Sequence, residues 1–509
     1  MSGDAEDTEP ALADVQALKP LVTALQGTVL DPMQPQYRRS DGLSYDHEPD
    51  MFTRGSAPRP LTAVAGRGAT LRLSDGSELI DLCSMTENTV LGLNDPWVKL
   101  RQVSHVLSER PHYVTVRFGN DLYYRVAHRL SRHFNQTGGG RDYVLNMREC
   151  TGSGAVELGL HAAWTAARNS PGRRKLASFV GAFHGSNLGG VLASDHQPER
   201  GSGRVLLDRA DNVEQFPIPE AGPDGRLSAA ALETLAALER DGEQYFAVII
   251  EPIPWRNAVH VVPVEFLRRL REICTAKSIC LVFDEVQNGF GFTGAVWYGE
   301  TAGVHPDIAV LGKGLTSGHG TLSMIVADRA FGTVESPFGF KSNSANMLSL
   351  VAVDAVLDRL LGVEGPDAEP LPEWLPTGLE QELREGLLAT AYARAVRMID
   401  EMLTELRRRF PAMAGQVRGL GLMRGLVMLG GDGLPSSAIA GEVARVGTGH
   451  GVHVRQAGTA LFLKPCLVIT QGEVDRALTA LTRTLEAVAD SRADGDLSRP
   501  RCPVSKQPG

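Results

Sequence analysis

An α/β fold, with a mainly parallel sheet covered by helices on both faces, is what this sequence predicts. Short apolar runs rich in β-branched residues recur from about residue 140: Lys175–Val180, Phe246–Ile250, Ile279–Phe283, Ile308–Leu311 and Leu322–Val326. Helical patterns separate many of them, as in Val264–Ala276, where Phe266, Leu267, Leu270 and Ile273 share one stripe. Strands alternating with helices imply crossover connections and therefore a parallel sheet. A chain of 509 residues is long enough for more than one domain, or for one large unit with a satellite.

The elements follow in order. Residues 1–50 are polar and lack periodicity, so a loosely held N-terminal arm is expected. Residues 61–82 alternate apolar and polar positions around Asp75-Gly76, which predicts a hairpin. That segment begins a smaller α+β domain over 51–95, and a large domain is expected over 96–350. The chain then returns to the small domain over 351–490. Within it, 362–378 is rich in Pro, Gly and acids and reads as an insertion or linker. A long helix over roughly Ala389–Phe410, the stretch Val417–Leu429 and a last helix near Gly472–Ala489 complete it. The polar tail 491–509 is expected to be disordered. No internal repeat is evident.

Composition excludes several classes of function. The chain is 43% apolar and 22% charged with net charge −9, so it has no basic surplus for nucleic acid. Apolar runs fall short of a bilayer-spanning length, so no membrane association is expected. The acidic N-terminus lacks the basic-then-apolar pattern of a signal peptide. Cys83, Cys150, Cys274, Cys280, Cys466 and Cys502 show neither metal spacing nor a disulfide framework. A cytoplasmic protein with reduced thiols and no metal site is the expectation.

Lys313 follows the apolar run Ile308–Leu311, and an earlier run ends in Asp284-Glu285-Val286-Gln287. A lysine and an acid brought together by neighbouring strand ends suit pyridoxal 5′-phosphate. The lysine holds the aldehyde as a Schiff base and the acid keeps the pyridine nitrogen protonated. Thr151-Gly152-Ser153-Gly154-Ala155 opens a helix whose backbone N–H groups and dipole favour an anion.

Over roughly 60–485 the chain resembles the class III (ornithine/4-aminobutyrate type) aminotransferases, fold-type I enzymes dependent on pyridoxal phosphate. The run Asp284 to Gly291, followed by Leu311-Gly312-Lys313-Gly314, is the most specific part of the likeness. The resemblance implies a large domain with a sheet of the seven-stranded type. It also implies that Asp284 pairs with the pyridine N–H and that Lys313 anchors the cofactor and shuttles the proton. Gly152 and Ser153 would hold the phosphate and Gln287 the phenolic oxygen. In Gly181-Ala182-Phe183-His184-Gly185, Phe183 would stack on the ring, with His184 beside it. Ser342 would reach the phosphate bound in a partner subunit, which implies a homodimer. The partners implied are a small-molecule amino donor and a carbonyl acceptor.

The departures bear on substrate. The family usually has an acid where Gly154 stands. The arginine that binds the α-carboxylate in 2-oxoglutarate-using relatives is replaced by Phe462, in the run Ala460 to Leu467. The glutamate that pairs with it is replaced by Arg256, in Glu251-Pro252-Ile253-Pro254-Trp255-Arg256. Losing only one would leave a partly buried charge alone, at about 3–5 kcal/mol, so joint loss is coherent. Two readings stay open. Arg256 or Lys464 captures a carboxylate from another wall, or Trp255 and Phe462 line a pocket for a substrate without an α-carboxylate. The Phe-Gly-Arg-Thr-Gly of relatives is Phe290-Gly291-Phe292-Thr293-Gly294 here. An aminotransferase with a specialised biosynthetic acceptor is the expectation. An aminomutase or racemase of the same fold is the alternative.

Overall fold

The computed structural model describes residues 63–112, 119–170, 172–194, 212–333, 345–363 and 371–493. The expected arm over 1–50, nearly all of the tail, the stretch 364–370 and Ser342 lie outside the described residues.

Strands β1 (Ala63–Arg67), β2 (Thr70–Leu73) and β3 (Glu78–Asp81) form an antiparallel meander, turning where expected at Asp75 and Gly76. Gly76 has φ +86, and the Asp75 carboxylate accepts from the Ser77 N–H at 2.9 Å. The next seven strands are β4 (Tyr143–Glu149), β5 (Lys175–Phe179), β6 (Val213–Phe216), β7 (Tyr245–Ile250), β8 (Cys280–Asp284), β9 (Ile308–Leu311) and β10 (Ser323–Asp328). They form one sheet in the order β4-β10-β9-β8-β7-β5-β6. Only β10 runs against its neighbours, so the sheet is mainly parallel. Strands β4 and β6 were not among the expected runs, because Asn146, Arg148, Glu214 and Gln215 break their apolar pattern.

The period of two in the central strands explains why both faces are covered. Ile249, Val282, Ile308 and Val310 point to one side, where helix α1 (Gly152–Ala167) packs Val156, Leu160 and Ala163 on them. Val248, Leu281, Phe283, Ala309 and Leu311 point to the other, against Phe266 and Leu270 of helix α2 (Val264–Lys277) and the main core. N- and C-terminal segments meet in one of the two remaining sheets. Strands β11 (Ala414–Leu420), β12 (Met423–Met428), β14 (Arg455–Ala457) and β15 (Ala460–Leu463) form one, and β13 (Val452–His453) pairs parallel with β3 in the other.

Smaller differences have local causes. The long helix expected over 389–410 is interrupted at Ala391, and helix α3 spans Tyr392–Arg409. Part of the segment read as a linker is ordered against the core, with Leu375 buried and a helix beginning at Thr377. The last helix, α4, runs over Gln471–Ala493. No helix among the described residues is long and apolar enough to cross a membrane.

Candidate active site

Because β5, β7, β8 and β9 are parallel, their C-terminal ends deliver their following residues to one edge of the sheet. Ligands of open α/β sheets bind there. Asp284 ends β8, and its side chain is about nineteen-twentieths buried (4% exposed). Its Oδ2 lies 2.8 Å from His184 Nδ1, which comes from the turn after β5, and its Oδ1 accepts from the Val286 N–H at 3.2 Å. A carboxylate only accepts, so His184 Nδ1 carries the proton of this bond. His184 is itself buried, with its backbone N–H given to Ser194 Oγ at 2.7 Å, and among the described residues its Nε2 has no hydrogen-bond partner. Glu285 points the other way, accepting from the N–H groups of Tyr298 and Gly299, and burial pushes its carboxyl up to about 8. The Asp-Glu pair thus faces the interior on both sides.

Lys313 opens the turn after β9 with φ +45, a left-handed conformation that costs a non-glycine residue energy and recurs at functional sites. Burial pulls its ammonium down to about 8, against the upward pull of Glu251 and Asp284. Its Nζ donates to Glu87 Oε2 at 2.7 Å. Gln287 is buried beside it, donating to the same oxygen at 3.3 Å and accepting from Lys464 Nζ at 3.1 Å.

The helix start expected to hold an anion is built as one. Thr151 caps α1 by accepting the Gly154 N–H at 3.1 Å. Ser153 Oγ accepts from the Ser186 N–H at 3.1 Å, tying this turn to the one that carries Phe183 and His184. A Cβ at Gly185 (φ +109) would come within 2.5 Å of Ser153 Oγ, so the close approach of the two turns requires glycine. Gly152 packs on Val286 from the Asp284 loop. A side chain at Gly154 would collide with Glu149 Oε2 at 2.4 Å, so a carboxylate from β4 fills the space beside this unusual glycine.

The facing wall is where the sequence departs from its relatives. Phe183 donates its N–H to Glu251 Oε1 at 2.7 Å, and the Arg256 guanidinium lies 4.3 Å over its ring. Burial raises the Glu251 carboxyl well above the usual range, with Asp284 adding to the effect. Burial also lowers Arg256, partly offset by Glu251. Arg256 and Arg455 both stack on Trp255, at 5.4 and 5.2 Å, and Trp255 tilts against the buried Phe462 at 5.8 Å. Lys464 is fully buried and is used internally. Its Nζ donates to the Glu87 carbonyl at 2.8 Å and rides 3.9 Å from the Phe292 ring. Lys464 therefore touches Phe292, which lies in the run that departs from the family's pattern.

Glu87 and Arg455 were missed by sequence reasoning. Glu87 lies 2% exposed in a turn where Ser84, Met85 and Glu87 all have positive φ. Its Oε1 accepts from Arg455 Nη1 while Oε2 takes Lys313. A lone acid between Leu79–Cys83 and Val90–Leu91 was the available signal; nothing local marks Arg455.

The family model for class-III aminotransferases matches residues 51–365. A diaminobutyrate–2-oxoglutarate transaminase of Nocardia farcinica is 26% identical over 84% of this chain and 90% of its own. An adenosylmethionine-8-amino-7-oxononanoate aminotransferase of Synechococcus elongatus is 28% identical over 85% and 96%. Among solved structures, an amine transaminase from an uncultivated Pseudomonas species, with pyridoxal phosphate bound, superposes with TM-score 0.69 at 24% identity. That match covers 86% of this chain and 98% of the other, and it establishes the fold-type I architecture.

Proposed function

The chain belongs to the class-III aminotransferase family, and from that premise we propose that it moves an amino group from a donor amine to a ketone or aldehyde lacking a carboxylate on the reacting carbon. It is a pyridoxal phosphate-dependent transaminase, and the finer proposal concerns its substrates. The residues present fit that cofactor. A buried carboxylate held by His184 stands at one strand end, a lysine of lowered basicity at the next, and a helix N-terminus pinned by Ser153 and Gly185 opposite them.

Pyridoxal phosphate, when bound, supplies a protonated ring that accepts the electron pair released at the substrate's amine-bearing carbon. Asp284 would hold the ring nitrogen protonated, with His184 fixing its orientation. Gly152 and Ser153 would hold the phosphate, Phe183 one ring face and Gln287 the phenolic oxygen. Lys313, displaced by the incoming amine, would carry the proton away from the substrate carbon. Near pH 7 a lysine of pKa about 8 exists in both forms, so one residue can take a proton and return it. Trp255 and Phe462 would keep water from the substrate side.

The observation that carries the substrate reading is Phe462, wholly buried against Trp255, standing where carboxylate-binding relatives have an arginine. The reading includes a homodimer with Ser342 reaching the partner's cofactor phosphate, a small domain contributed by both chain ends, and a cytoplasmic biosynthetic role. Sedimentation of the purified protein at enzyme concentration tests the dimer; a monomer that turns over removes Ser342 from the site.

The chemistry is tested by absorbance of the purified protein as donors are added, with carbonyl product assayed in the same tube. Simple amines are expected to discharge the band of the lysine-bound cofactor and release a ketone or aldehyde. Lys313→Ala is expected to lose that band and at least about 10³-fold in turnover. A donor whose product is an isomer, with no carbonyl released, would replace this reading with a mutase or racemase.

A further inference from the structure

The Glu87 carboxylate bridges the reacting lysine and the arginine on the far wall. One oxygen takes Lys313 Nζ at 2.7 Å and Gln287 Nε2 at 3.3 Å, and the other takes Arg455 Nη1. Its position is fixed from behind as well. The Glu87 N–H donates to the Cys83 carbonyl at 3.0 Å, and its own carbonyl accepts from Lys464 Nζ at 2.8 Å. Left-handed backbone at Ser84, Met85 and Glu87 persists because the surroundings hold it there.

A donor must bring its nitrogen to the place of the Lys313 nitrogen. In an α-amino acid the carboxylate oxygens lie about 3 Å from that nitrogen, three covalent bonds away. That is the shell that the Glu87 carboxylate occupies around Nζ. We propose that Glu87 is a specificity-determining residue that occupies the α-carboxylate position, repels α-amino acids and keeps Arg455 from binding them. Amines bearing hydrogen, alkyl or aryl groups at that position meet no such repulsion. The inference rests on the aminotransferase reading above and names the residue that sets its substrate class.

Two features favour a fixed barrier over a displaceable arm. Glu87 is 2% exposed, so moving it would strand a buried carboxylate away from its cations. Both of its oxygens are also held, one by Lys313 and Gln287 and the other by Arg455. Arg455, about one third exposed and stacked on Trp255, is the cation that a substrate carboxylate would reach were Glu87 uncharged.

The experiment compares 1-phenylethylamine with L-alanine and L-glutamate as donors, on the full-length, cofactor-loaded protein and on Glu87→Gln. Wild type is expected to prefer the amine. Glu87→Gln is expected to raise the L-alanine to 1-phenylethylamine ratio of kcat/KM on the order of 10²-fold, since like charges in contact are strongly disfavoured. Adding Arg455→Leu to Glu87→Gln should cancel the gain. An independent readout is capture of the bound cofactor by glycine against methylamine, followed by absorbance, since the two differ by an α-carboxylate alone. Relative to free cofactor, wild type should disfavour glycine and Glu87→Gln should not. Wild-type protein using L-alanine or L-glutamate as readily as the amine would overturn the proposal. So would an unmoved ratio in Glu87→Gln protein that melts normally and binds cofactor. Should Glu87→Gln not fold, the wild-type capture ratio decides alone. If no donor of either class reacts, the aminotransferase reading falls, and the capture ratio still decides on Glu87.

Discussion

The cofactor side and the substrate side proposed for this site are built by different means. Asp284, Gln287, Lys313, Phe183 and Ser153 sit at strand ends or helix starts of one parallel sheet, each inside a short run. The substrate wall draws Glu87, Trp255, and the paired Arg455 and Phe462 from three distant segments. The first side is set by sheet geometry. The second replaces one pair of charges with another. A buried carboxylate there is tolerable because three cationic or polar groups reach it, and removing one such partner typically costs about 3–5 kcal/mol. Conservative chemistry and variable recognition thus lie on opposite sides of one lysine.

The largest expected effect on the conservative side, after loss of Lys313 itself, belongs to Asp284. Asp284→Ala should lower kcat on the order of 10²- to 10³-fold, the size seen when a positioned electrostatic group is removed. Steady-state rates with any accepted amine check this, and the donor ratio should stay unchanged. A shift in the ratio with little loss of kcat would erase the distinction between the two sides.

A pH experiment sharpens the same contrast. Only the neutral amine of Lys313 can attack the cofactor aldehyde. With a pKa of about 8, roughly a tenth of it is neutral at pH 7, against about one part in 3,000 for an ordinary lysine. Capture of pyridoxal phosphate by the apoprotein should therefore quicken about tenfold per pH unit below about 8 and level off above it. Stopped-flow absorbance measures this, and a rate still rising at pH 10 would show that burial does not govern Lys313. The same shift bears on apoprotein stability. Between about 8 and 10.5 the unfolded lysine holds a proton that the folded one has released, so stability rises with pH over that window.

What was legible in the sequence follows the same division. Strands β5, β7, β8, β9 and β10 were visible because they are largely apolar and buried on both faces along most of their length. Edge strands β4 and β6 carry polar residues and were not. Asp284 and Lys313 announced themselves through local runs. The bond from His184 to Asp284 spans 100 positions, and that of Arg455 to Glu87 spans 368, so no local pattern encodes them. Arg256 could be seen as a replacement, but its stacking on Phe183 depends on how the loops after β5 and β7 meet. Reading Glu87 required knowing that its turn folds back over Lys313.

Lys464 gives the smallest effect and tests where the boundary between the sides runs. It is a fully buried lysine, pulled well below the usual range by burial and by Lys313, with its amine on the Glu87 carbonyl and on Gln287 Oε1. Its geometry is that of a strut joining the substrate wall to the cofactor side, with the Phe292 ring beneath it. Lys464→Met preserves length and apolar contact but leaves two buried acceptors unpaired, at about 1–3 kcal/mol. Thermal unfolding of the apoprotein should accordingly shift down by a few degrees, with the amine to L-alanine ratio little changed. A rise in melting temperature would mean that desolvating the amine outweighs its two bonds. A large change in the ratio would move Lys464 into the substrate wall, and the wall would then reach through Gln287 to the cofactor itself.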